Sequence, residues 1–181
     1  MRVLSPQLAV LVALLVCVAA PASAQTPAPR RTPDVMFVPT PPEVVEAMLR
    51  LAGVTAADVV YDLGSGDGRI PIAAAQTFGA TGVGVELDPN LIAEATERAA
   101  RTGVSDKVTF RAEDLFETDL RPATVITLYL LREMNLKLMP RLQQLKPGTR
   151  IVAHSFGMGT EWTPDKVEKI SGKSIFLWVV K

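Results

Sequence analysis

The chain has 181 residues, 19 basic and 19 acidic side chains, and 48% apolar residues. That length suits one domain around one core, and the even charge argues against a surface built to hold nucleic acid. A single cysteine and a single histidine rule out an internal disulfide framework and argue against a Cys- or His-built metal centre, so no metal site is expected.

At the amino terminus, Arg2 precedes an unbroken apolar run over residues 8–20, followed by Pro21 and Ala22-Ser23-Ala24. A basic start, a short apolar stretch and an A-x-A site predict a secretory signal over residues 1–24, cleaved after Ala24. The run is short for a membrane span, so export to the periplasm is expected, with an uncleaved membrane anchor as the alternative. Cleavage would remove Cys17 and Arg2, leaving roughly 155 residues at a net charge of −1. Residues 25–33 (QTPAPRRTP) form a Pro-rich linker, and the folded domain is expected over residues 34–181.

Thr40-Pro41-Pro42-Glu43 predicts a capping box with proline at the first helical position. Val44, Val45, Met48 and Leu51 then supply an apolar stripe, and Gly53 ends the helix. Residues 59–70 (VVYDLGSGDGRI) read as a buried strand, a glycine turn and a helix start, the helix running over 69–78. Without Cβ atoms, the turn at Gly64, Gly66 and Gly68 lets backbone amides approach a ligand closely. A second strand over 81–87 carries Glu86 about 20 residues beyond the glycines, where nucleotide-binding α/β units place an acid for ribose hydroxyls. The glycines run G-x-G-x-G, and position 69 is Arg where a dinucleotide fingerprint wants a small residue. With Asp62 two residues ahead of Gly64, the string resembles the cofactor loop of class I S-adenosylmethionine-dependent methyltransferases.

Asp88 and Pro89 open the next helix, with Glu94–Arg98 and Glu97–Arg101 pairs on its solvent face. A third strand over 107–111 leads to Glu113 and Asp114. Ligands of open parallel sheets sit at the strands' carboxyl ends, so Asp62, Glu86 and Asp114 are expected to converge on one crevice. There they can face an ammonium, a ribose and an adenine amino group; the competing reading of Asp114 is a solvated acid capping a short helix. The fourth strand, 123–130, ends at Tyr129, the one candidate on the catalytic side, with a core aromatic as the competing reading. Residues 132–145 predict a helix that Pro140 kinks or splits. A strand over 150–154 ends at His154, which reads as a structural histidine ahead of a base. Strand patterns within 161–170 and over 174–180, joined by a turn at 171–173, complete the chain. The fold class is α/β: a Rossmann-like, seven-stranded, mostly parallel sheet with a C-terminal antiparallel hairpin and helices on both faces.

FVPTPPEVVEAML, DLGSGDGRI, GVELDPNL, EDLFETDL and TLYLLREMNLKLMPRLQQLKPGTR together narrow the likeness. They resemble small bacterial relatives of the mitochondrial protein-lysine methyltransferases that modify the adenine nucleotide translocator and the ATP synthase c-ring protein. The resemblance spans essentially all of the chain after the linker. It implies S-adenosylmethionine as cofactor, with Asp62, Gly64, Gly66, Gly68, Glu86 and Asp114 in the cofactor-binding roles. It also implies a protein lysine as acceptor, a membrane-associated protein among the candidates, and no nucleic acid. Two alternatives stay open: an exported module that binds the cofactor without turnover, and a nicotinamide-dependent oxidoreductase, which Arg69 disfavours.

Overall fold

The computed structural model describes residues 37–181, so the expected signal segment and linker lie outside the described residues. The elements in chain order are α1 (Pro42–Leu51), β1 (Val59–Leu63), α2 (Arg69–Phe78), β2 (Thr81–Glu86), α3 (Pro89–Arg101), β3 (Val108–Ala112), β4 (Val125–Leu128), α4 (Arg132–Leu142), β5 (Arg150–His154), β6 (Lys166–Ile170) and β7 (Lys173–Val179). The seven strands form one sheet in the order β3-β2-β1-β4-β5-β7-β6. β1 to β5 pair in parallel, β7 runs antiparallel to β5, and β6 runs antiparallel to β7. The expected fold class is the one observed.

Strand residues alternate between two cores. Val60, Val125, Val152 and Ile175 meet the apolar stripe of α1 and the Ile70 and Ala74 side of α2. Tyr61, Leu63, Ile126, Leu128 and Ile151 face the other way, onto Leu138 and Leu142 of α4 and onto Trp178. A smaller cluster locks α2 to α3 through Ile72, Ala75 and Ala99. Each large apolar side chain of these clusters that leaves water contributes on the order of 1.5–3 kcal/mol, which is why the period-2 and period-3.6 patterns settle the layers.

Local details depart from expectation. No capping box forms on α1: Pro41 is the cap residue, and among the described residues no side chain caps the first turn. The Thr40 hydroxyl turns instead toward His154, 114 residues away. α4 runs unbroken to Leu142 with Pro140 inside it. Close to a helix end, proline forfeits one backbone bond and the helix stops shortly beyond it. The fourth strand is shorter than its apolar run, so Tyr129 lies just past β4. By contrast, Asp88 caps α3 as expected, accepting from the Asn90 amide at 2.8 Å.

β1 is the central parallel strand, and register decides its neighbours. Asp62 lies opposite Gly84 of β2 and Thr127 of β4. The carboxyl ends of β1, β2, β3 and β4 therefore open onto one side, where the loops after them build a crevice.

Candidate active site

The crevice encloses about 420 Å³. Its floor is Asp62, Gly64, Ser65 and Ile70; one wall is Val85 to Asp88 with Glu113 and Asp114; the other is Tyr129, Leu130 and Met134. Phe37, Val38 and Thr40 border it from the segment ahead of α1. The structure thus brings Asp62, Glu86, Asp114 and Tyr129 together as expected. Gly66 and Gly68 shape the loop beneath rather than the lining.

The glycine loop follows from its sequence. Gly66 adopts φ 52°, and a Cβ there would lie 2.1 Å from the Phe37 ring, which packs on the loop. Gly68 adopts φ 74°, and its Cβ would meet the Phe110 ring and the Ala95 methyl at 2.5–2.7 Å. Both positions need glycine for conformation and for space.

Asp62 is buried and accepts from the Thr127 hydroxyl at 2.7 Å. Burial pushes its carboxyl up to about 7; the Thr127 bond holds it back, and the charges of Glu86 and Asp67 add to the rise. Glu86 accepts from the amides of Gly66 at 2.9 Å, Leu87 at 2.7 Å and Asp88 at 3.0 Å, so its carboxylate ties the glycine loop to the loop after β2. Asp114 lines the crevice and accepts from the Phe116 amide at 2.9 Å.

Sequence reasoning missed a second layer. Asp67, inside the glycine loop, is buried and pairs with Arg69 at 2.6 Å and Arg98 at 2.9 Å. Burial would raise its carboxyl, but the Arg69 hydrogen bonds and the two guanidinium charges hold it below the usual range. Arg69 also donates to the Thr40 carbonyl at 2.8 Å, fastening the segment ahead of α1 to the loop. Arg69, noted in sequence only as a departure from the dinucleotide fingerprint, is thus a brace. Asn135 of α4 is fully buried and donates to the Phe156 carbonyl at 2.9 Å, which holds the loop after β5 against α4. Tyr129 stacks on Phe156 with centroids 6.4 Å apart and on His154 at 4.0 Å. His154 is a buried, structural neighbour of the crevice and not part of its lining.

The lining fits S-adenosylmethionine. The glycine cradle admits a ligand near backbone amides, and the Ser65 hydroxyl is buried there without a partner among the described residues. Asp62 adds a buried carboxylate whose neighbouring charges are acidic, a setting that a ligand ammonium would complete. Groups of three or more metal-ligating side chains are absent among the described residues. The sheet order, the glycine loop and the acids at the ends of β1 and β2 define the class I S-adenosylmethionine-dependent methyltransferases.

The model of the ANTKMT methyltransferase domain matches residues 62–166, and the chain belongs to this family. It is 42% identical over 154 residues to a protein-lysine N-methyltransferase of Saccharolobus islandicus, covering 82% of this chain and 95% of that one. To the adenine nucleotide translocase lysine N-methyltransferase of Mus musculus it is 35% identical, covering 75% of this chain but only 60% of that one. Among solved structures, it is 53% identical to an RNA methyltransferase from Salinibacter ruber in complex with S-adenosyl-L-homocysteine, with a TM-score of 0.77 and coverage of 79% and 94%. The chain is an S-adenosylmethionine-dependent methyltransferase.

Proposed function

We propose that the chain methylates a lysine side chain of a protein. The observation that carries this reading is the charge of the crevice: Asp88 and Glu113 line it beside the donor-facing Asp62, Glu86 and Asp114, and Arg69 is the one basic residue among the described lining. An acidic mouth attracts an ammonium and repels a phosphate backbone. The protein-lysine methyltransferase of Saccharolobus, matched along nearly its whole length, supports the same acceptor.

The donor supplies an activated sulfonium methyl. What the protein adds is alignment at about 3 Å, desolvation and an outlet for a proton. Asp62 faces the ammonium of the donor, Glu86 its ribose and Asp114 its adenine amino group, over the cradle of Gly64, Gly66 and Gly68. Tyr129, Leu130, Met134 and Phe116 give the acceptor side an apolar wall that favours the neutral amine, and the neighbouring carboxylates can take its proton. Tyr129 acts there as a wall or hydrogen-bond donor.

A membrane-associated substrate is part of the proposal. Phe37 and Val38 on the crevice, Phe156 beside Tyr129 and Leu131 next to Leu130 are 38–56% exposed, an apolar set suited to an apolar partner surface. Among the described residues no helix is long and apolar enough to cross a membrane. The apolar run at residues 8–20 supports export, with an anchored form as the alternative. Mass spectrometry of protein from the host is expected to find the amino terminus at Gln25 in an extracytoplasmic fraction; intact Met1 in the cytoplasm would overturn it.

An RNA acceptor is the second reading, favoured by the description of the 53% identical Salinibacter protein. Labelled donor incubated with separated protein, RNA and metabolite fractions decides between them. Label on protein lysines is the expected result, and label confined to RNA or metabolites would refute the proposal.

A further inference from the structure

Thr40 sits at the junction of the two halves of the site. Its carbonyl accepts from Arg69, which is held by Asp67 of the glycine loop. Its hydroxyl lies 3.1 Å from Nδ1 of His154, a hydrogen bond whose direction the tautomer sets. Both side chains are buried, at 3% and 1% exposure, yet Thr40 also borders the crevice. On its other side, the His154 ring packs 4.0 Å from that of Tyr129. One residue is thereby linked to the glycine loop through Arg69 and to the Tyr129 wall through the His154 ring.

The setting of His154 is unusual in two respects. Its Nε2 is buried without a hydrogen-bond partner among the described residues, which is costly for a ring nitrogen. It is followed by Ser155 at φ 63°, in a tight turn closed by the Phe156 amide donating to the His154 carbonyl at 2.7 Å. A non-glycine residue in the left-handed region stores strain that persists where the surroundings demand it. This turn leaves the imidazole under Tyr129 and brings the Phe156 ring alongside it. Burial, with the Lys173 charge adding, lowers the imidazole to about 4, so the ring is neutral across the physiological range.

We propose that Thr40 and His154 are positioning residues that couple occupancy of the donor site to the placement of the Tyr129 wall on the acceptor side. In this proposal the donor, seated against Phe37 and Thr40 in the crevice, moves the Thr40 hydroxyl, and the shift passes through the imidazole to the Tyr129 ring. A neutral imidazole suits this task, because a charged ring would bring an ionic penalty into the core. The inference rests on the methyltransferase assignment and not on the identity of the acceptor.

His154 is the chain's one histidine, so its imidazole gives a single, assignable set of NMR signals. Saturating S-adenosyl-L-homocysteine is expected to move those signals in the wild-type protein. In Thr40→Val, which keeps the carbonyl contact to Arg69 and loses the hydroxyl, the shift at saturating S-adenosyl-L-homocysteine is expected to disappear. Thr40→Ser is expected to restore it. Imidazole signals in the wild type that ignore the ligand overturn the proposal without any variant being needed. A full shift retained in Thr40→Val, or a shift lost in Thr40→Ser as well, overturns it too.

Discussion

Two buried aspartates bracket β1 and have opposite fates. Asp58, just ahead of the strand, accepts from the Thr55 amide at 2.8 Å and the Thr124 hydroxyl at 2.7 Å and pairs with Arg150. Burial works against its charge, but these partners hold its carboxyl below the usual range. Asp62, four residues on, has one short side-chain partner, Thr127, and carboxylates for neighbours, and it is pushed up to about 7. The amino ends of the strands carry a completed network that ties β1 to β4 and β5. The carboxyl ends carry an incomplete one, which a cationic ligand would complete. That contrast separates an acid whose partners are complete, just ahead of β1, from one near its carboxyl end that we propose binds the donor.

Breaking the completed network should have the largest effect. Asp58→Ala takes the carboxylate from Arg150, which keeps the Ala52 and Gly53 carbonyls, and is expected to cost about 3 kcal/mol of stability, near the low end for one member of a buried pair. For a domain of this size that lowers the melting temperature by about 6–12 °C. Donor affinity measured by calorimetry should stay the same; a matching loss of affinity would erase the distinction between the two ends.

Glu86→Ala is the counterpart at the other end. Removal of a charged hydrogen-bond acceptor is expected to weaken donor binding by about 1.5–3 kcal/mol, or roughly 10- to 150-fold. Unchanged titration curves in a folded variant would remove Glu86 from the donor site.

The two aspartates also predict opposite slopes with pH. The Asp62 carboxyl is raised in the folded state, so between about 4 and about 7 the folded form binds more protons than the unfolded one. Its contribution to stability is therefore present below that window and is lost as pH rises through it. Asp58 is lowered, so its contribution is present above its unfolded value near 3.8 and is lost as pH falls through the folded one. Chemical denaturation of wild type and Asp62→Asn should show that the variant lacks the decline between pH 4 and 7. Donor binding below pH 7 should release a proton, seen as a dependence of binding heat on buffer ionisation; equal slopes in both proteins would contradict the raised carboxyl.

The smallest effect lies away from both ends. Glu97 and Arg101 pair on the exposed face of α3, and Glu97→Gln is expected to change stability by no more than about 0.5 kcal/mol. Denaturant midpoints within error of wild type are the expected result, which calibrates the larger changes as effects of burial.

The legible parts of this site were those written in consecutive residues. Asp62, the three glycines and Glu86 fall in two short strings whose order fixes strand, turn and acid, and the structure brings Asp62, Gly64 and Glu86 into one crevice with Asp114 and Tyr129, over the loop that Gly66 and Gly68 shape. The brace of Asp67, Arg69 and Arg98 was not legible: Arg98 reads as the partner of Glu94, and its contact with Asp67 crosses from α3 to the glycine loop. Thr127 was equally silent within an apolar strand, because its tie to Asp62 depends on the parallel register of β1 and β4, 65 residues apart.

What the sequence by itself determined is what short-range physics controls: helix and strand periods, proline and glycine boundaries, the Asp88 cap, the cradle, and the layered α/β class that these elements imply. What only the tertiary structure decided is partner choice across the fold. Thr40 left a local capping role for His154, the carboxyl of Asp62 rose because burial and acidic neighbours outweigh its bond from Thr127, and Asp58 fell because Thr124 and Arg150 reach it from across the sheet. Hydrogen bonds and charges act over a few ångströms irrespective of chain separation, so their pairing follows from packing and register and cannot be read from neighbours in sequence.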